Sequence, residues 1–128
     1  MNNILDIVSL VLKDREIQLD RPDGSGKLPI WLTIMSTDDE RLKQHTRRIQ
    51  DKQAHKAQRN KFFSAEEKER FLVELLARTV TGWRWEVQYN GEIPEFSYEK
   101  VYEVLSDSRI PWFLAQLTEA VGDTERFF

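Results

Sequence analysis

Between Thr81 and Phe113 the sequence concentrates three of its four tryptophans and all three tyrosines, and any fold of this chain must house those rings. Trp83, Trp85, Val87 and Tyr89 alternate with Arg84, Glu86 and Gln88, so in an extended segment one face is aromatic and the other polar. Asn90-Gly91 then supplies the positive-φ pair that a tight turn requires. Pro94 and Phe96 lead to Ser97, a good N-cap, and Tyr98, Val101, Tyr102 and Leu105 follow at helical spacing. The stretch reads as a helix end, a Trp-rich extended arm, a turn and a helix.

A chain of 128 residues suits one domain with a modest core, and 40% hydrophobic with 32% charged residues is a globular balance. No cysteine is present, which excludes disulfides, thiolate metal sites and a cysteine nucleophile and fits a reducing compartment. A net charge of -3 is too slight to steer the whole molecule towards a polyanion. The apolar run from Ile4 to Leu12 is interrupted by Asp6 and Ser9 and is too short to span a bilayer. No basic segment or small-residue cleavage site accompanies it, so neither a signal peptide nor a membrane helix is expected.

In chain order, Asn2 to Leu12 suits either a short buried helix or the approach to a strand. Ile17 and Leu19 alternate with polar residues before the turn chemistry of Pro22-Asp23-Gly24-Ser25-Gly26. A second apolar run follows from Leu28 to Met35, so Glu16 to Met35 reads as a β-hairpin. Pro29 within it implies an edge strand. Thr37-Asp38-Asp39-Glu40 has the form of a capping box and should open a long, exposed, polar helix over about 38–61, whose chief apolar residues are Leu42, Ile49, Ala54 and Ala57. Ser64-Ala65-Glu66-Glu67 is a second box. It opens a helix with Phe71, Leu72, Leu75, Leu76, Thr79 and Val80 on one stripe and Gly82 as its expected C-terminal cap. After the aromatic arm and the Ser97 helix, Ser106 to Arg109 marks a break and Pro111 suits the first turn of a last helix ending at Gly122. Ile110, Phe113, Leu114, Leu117 and Val121 form its buried stripe, and 123–128 make a short tail. The expected fold is a small, predominantly helical α+β domain over 1–128, with a β-hairpin near the N-terminus and about four helices.

The basic run Arg41, Lys43, His45, Arg47, Arg48, Lys52, His55, Lys56, Arg59 and Lys61 could follow phosphates, and a small nucleic-acid-binding regulator is one reading. A solvated helix broken by Glu40 and Asp51 is the plainer one, because no aromatic side chain lies between Arg41 and Lys61 to stack on bases. His45 and His55 are ten apart, which is not the spacing of a helical metal pair. The acidic clusters occupy helix first turns and read as caps, and the glycine-rich turn lacks the Lys-Ser or Lys-Thr of a phosphate loop. No catalytic constellation, cofactor or metal site emerges, so the residues describe a binding protein and not an enzyme.

Three runs taken together carry a resemblance: LDRPDGSGKLPIWLTIMSTDDE from Leu19, GWRWEVQYNGEIPEFSYEKVYEVL from Gly82, and IPWFLAQLTEAVGDTERFF from Ile110. In order and spacing the chain resembles the tail assembly chaperones of long-tailed bacteriophages, over nearly its whole length. The resemblance implies a non-catalytic protein of the host cell cytoplasm, made during infection, that binds the tape measure protein, helps recruit tail tube subunits, self-associates and is absent from the mature virion. It also implies that a longer frameshifted product can exist. A chaperone of this kind must cover apolar stripes on a long helical partner until tube subunits replace it. Phe62, Phe63, Phe127 and Phe128 are the expected apolar contacts, with Arg47, Arg48 and Lys52 adding electrostatic attraction.

Overall fold

The computed structural model describes residues 14–35, 39–58 and 63–122. The expectations for Asn2–Leu12 and for the tail at 123–128 lie outside these residues. Strands β1 (Arg15–Asp20) and β2 (Lys27–Ile34) form the expected hairpin, closed where the Arg21 N–H donates to the Gly26 carbonyl at 2.8 Å. Helices α1 (Glu40–Gln58) and α2 (Ala65–Thr79) follow, then strand β3 (Val80–Trp85) and helices α3 (Tyr98–Leu105) and α4 (Pro111–Val121). The described residues form a small α+β domain with four helices and a three-stranded antiparallel sheet in the order β1-β2-β3.

The start of the aromatic arm, Trp83 to Trp85, therefore belongs to the third strand of the sheet. Helix α2 ends at Thr79 and β3 begins at Val80 with no loop between them. Val80, already extended, returns its N–H to the Ala77 carbonyl, and the Thr79 carbonyl accepts from the Met35 N–H at 2.8 Å. That junction corrects the expected Gly82 cap: Gly82 lies inside β3 opposite Thr33, where even an added Cβ would meet the threonine only at 4.0 Å. Leaving the sheet after Trp85, the chain turns Val87 outward, against the expected aromatic face. Asn90 and Gly91 do adopt positive φ, 52° and 87°, and the Tyr89 N–H closes the turn on the Glu92 carbonyl at 2.7 Å.

Pro29 is a second correction, because β2 is the central strand. Its lack of an N–H is tolerated where both ladders are irregular: the β1–β2 register shifts between Gln18 and Asp20, with the extra residues on β2 between Lys27 and Trp31, and pairing with β3 starts only at Ile30 opposite Trp85. The Pro29 carbonyl still accepts from the Glu86 N–H at 2.8 Å. On the edge strand, the Gln116 side chain exchanges two hydrogen bonds with the backbone of Asp20, at 2.8 and 2.9 Å, which ties α4 to β1 beside the register shift.

Leu19, Ile30, Leu32 and Ile34 from the sheet meet Leu76, Val101, Val104, Phe113 and Leu117 from α2, α3 and α4 in the main core. Phe113 is fully buried and stacks on Trp85 with centroids 5.7 Å apart and planes 17° from parallel. The caps follow the sequence. Ser64 and Glu67 make the reciprocal box, Ser97 accepts from the Lys100 N–H at 3.0 Å, and Pro111 opens α4. Asp107 joins the last elements by accepting from the Tyr89 hydroxyl at 2.7 Å and from Arg109. Both contacts hold its carboxyl far below the usual carboxylate range, Arg109 contributing more. Burial, followed by the hydrogen bond to Asp107, pushes Tyr89 up to about 12.

Candidate functional site

Helix α1 is the most polar element, and its attachment defines two clefts. It starts two residues later than a Thr37 cap would place it, because the Asp39 carboxylate accepts from the Arg41 backbone N–H at 2.9 Å and so caps the helix itself. Thr37 lies outside the described residues. Arg41 curls back on the same carboxylate, Nη2 at 2.7 Å, and reaches Asp14 at 3.1 Å. Hydrogen bonding to Arg41 holds the Asp39 carboxyl below its usual value in spite of burial.

Seven residues apart, Leu42 and Ile49 make a narrow apolar seam, 1% and 5% exposed. They pack in a second cluster with Met35, Phe63 and Leu75. Ala54 and Ala57, also expected on the apolar side, are exposed. A seam two residues wide leaves the rest of α1 to solvent, as a polar helix of this pattern requires.

The distal cleft, about 650 Å³, opens between the second half of α1 and the start of α2. Phe63 and Phe71 form its apolar wall, their rings 4.7 Å apart and tilted by 48°. Lys56 Nζ stands 5.1 Å from the Phe63 ring and Lys52 Nζ 5.9 Å from that of Phe71, both within reach of a cation–π attraction. Lys56 also pairs with Glu67 at 2.7 Å, so the carboxylate that completes the α2 capping box tethers α1 as well. The Lys56 hydrogen bond is the main cause of the lowered Glu67 pKa.

The proximal cleft, about 390 Å³, is walled by Met35, Arg41, His45, Arg78, Phe96 and Tyr98. Arg78 stacks on Tyr98 with its guanidinium carbon 4.4 Å from the centroid. Phe96 stays 39% exposed while meeting Trp83 edge-on at 5.8 Å. His45 has its proton affinity lowered by burial first, then by the charges of Arg78 and Arg48.

Of the residues expected to bind a partner, Lys52 and Phe63 come together in the distal cleft. Phe63 is only 6% exposed, so it forms the wall of the cleft and does not protrude as an anchor. Arg48 is exposed on the flank that carries His45, whereas Arg47 points elsewhere and pairs with Glu40 at 3.2 Å. Phe62, Phe127 and Phe128 lie outside the described residues. Sequence reasoning placed Phe71 in the core stripe and gave Arg78, Phe96 and Tyr98 no part in binding. Only an aromatic beside the Ser97 N-cap points to Phe96 in the sequence, since the Met35 and Arg78 that share its cleft are distant along the chain.

The arrangement can grip apolar side chains against phenylalanines while cations hold an adjacent negative group. Among the described residues no group of three His, Asp or Glu side chains converges as a metal site, and no helix is long and apolar enough to cross a membrane. No family model matches the chain, and comparisons with curated proteins and with solved structures give no match.

Proposed function

We propose that this chain is a non-catalytic tail assembly chaperone of a bacteriophage. It binds the tape measure protein, keeps it soluble in the host cytoplasm and helps recruit tail tube subunits. It self-associates during assembly and leaves before the virion is complete. The identity of the partners rests on the resemblance carried by the three sequence runs. The observation that supports a protein-binding role is the distal cleft, where Lys52 and Lys56 stand over Phe71 and Phe63 beside a helix held by a two-residue seam.

Such a site suits a transient clamp. Its apolar wall is half-sheltered, so it can close on a partner's side chain without exposing a large sticky patch beforehand. Exchange for tube subunits needs moderate affinity and fast dissociation, which a small cleft with an exposed cationic rim provides.

Co-expression with a long coiled-coil protein of the tape measure kind from the same phage tests the reading. The partner should stay soluble and co-purify, and should aggregate when this chain is omitted. Aggregation regardless of this chain, together with steeply salt-dependent binding of duplex DNA, would overturn it in favour of a nucleic-acid-binding regulator.

A further inference from the structure

The two clefts share their long walls. Along α1, Arg41, His45, Arg48, Lys52 and Lys56 succeed one another at three- and four-residue spacing, which puts them on one flank. Along α2, Glu67, Phe71, Glu74 and Arg78 do the same in the opposite direction. Their interactions fix the register. Arg78 and Glu74 act on His45, Lys52 lies over Phe71, and Lys56 pairs with Glu67. The two clefts therefore lie in line along the groove between α1 and α2, one at the Phe96 end and one at the Phe63 end.

We propose that this groove takes an amphipathic helix of a partner protein, with acidic residues along its middle and two large apolar side chains about eleven residues apart, one for each cleft. The spacing comes from His45 in the proximal cleft and Lys56 in the distal one. Eleven residues of helix span about 16 Å and return to within roughly 20° of the same face, so a straight partner helix reaches both clefts. The acidic requirement comes from the cations in between. Arg41 and Lys56 are occupied by Asp39, Asp14 and Glu67, whereas Arg48 and Lys52 make no ion pair among the described residues. An acidic helix supplies their missing counter-charges. Nucleic acid fits less well, because Met35, Phe96 and Tyr98 at one end and Phe63 and Phe71 at the other offer walls suited to apolar side chains.

This inference uses the protein-binding part of the proposed function and is independent of the identity of the partner. Three synthetic alanine-based helices of about 18 residues separate the requirements. One carries Leu at i and i+11 with Glu between, one has the second Leu moved to i+5, and one has Lys in place of Glu. Titrated against the full chain by fluorescence anisotropy, the first should bind about tenfold or more tightly than either of the others. Exposed positions make R48E/K52E a variant that keeps the fold. It should weaken the first peptide about tenfold or more and favour the Lys peptide instead. Phe96→Ala should weaken the first peptide without changing its preference over the Lys peptide. Equal binding of all three peptides, indifference to R48E/K52E, or capture of a duplex DNA probe in place of the peptides would overturn the groove. If the peptides show no preference while this chain still holds the coiled-coil protein soluble in co-expression, the groove fails and the chaperone reading stands. If the acidic peptide binds as described and the coiled-coil protein aggregates, the chaperone reading fails and the groove stands.

Discussion

The layer built from the sheet with α2, α3 and α4 and the arm formed by α1 are held by very different amounts of apolar surface. Among the described residues, fourteen buried side chains make up the first cluster, against five in the second, to which α1 contributes Leu42 and Ile49. Burial of two such side chains stabilises by roughly 3–6 kcal/mol before the ordering of the helix is counted against it. The arm belongs at the low-stability end of the molecule and the layer at the high end. Both clefts lie at the boundary between them. A partner that bridges α1 and α2 would stabilise the weaker region, and release of α1 would open the groove.

The largest effect expected is from Phe113→Ala. This ring is fully buried against Trp85, so its loss should cost about 3–5 kcal/mol in urea denaturation and lower the transition of the whole domain. Leu42→Ala should cost about 2–4 kcal/mol at its own site, yet hydrogen exchange should quicken in α1 while the β2 amides keep their protection. Equal quickening in β2 would show that the two regions unfold as one, and the contrast drawn above would fall. Ser64→Ala removes one half of the reciprocal box and should cost about 1 kcal/mol, read from the denaturation midpoint.

Acid sharpens the same contrast. Asp39 caps α1 and Glu67 tethers it, and both are lowered from ordinary values of 3.8 and 4.5. A carboxylate whose folded pKa is depressed stabilises fully above its unfolded value, and that contribution is lost as pH falls through the folded one. Below about pH 4 the arm should therefore loosen. Asp107, driven much further down by Arg109 and Tyr89, should keep its clamp in the layer to lower pH. Hydrogen exchange from pH 5 to pH 2 should show α1 amides opening first, and Asp107→Asn should narrow the gap between the two regions. Simultaneous loss of protection in α1 and α3 would contradict this order.

Much of the fold was legible because its signals are local. The hairpin turn, the Ser64 and Ser97 caps, the Asn90-Gly91 turn and Pro111 each depend on residues within a few positions of one another. The errors fell where a distant partner decided the outcome. Pro29 reads as an edge residue until β3 arrives from fifty residues away in sequence and makes β2 central. Gly82 reads as a helix cap until the chain passes from Thr79 straight into a strand. In the candidate site, charge alone points to Lys52, and Phe71 does pack against the second core cluster, as its stripe spacing requires. Their pairing across the cleft required the α1–α2 register.

By itself the sequence determined where elements begin and turn, which helix is polar and which rings must be sheltered, because capping, turn chemistry and periodicity act over three or four residues. Tertiary structure alone decided that the start of the aromatic arm closes a three-stranded sheet and that Phe63 is a wall and not an anchor. It also decided that one flank of α1 faces phenylalanines across a groove. The physical reason is that burial is set by what lies opposite. Leu42 and Ile49 supply too narrow a seam for the sequence to say which surface they would meet.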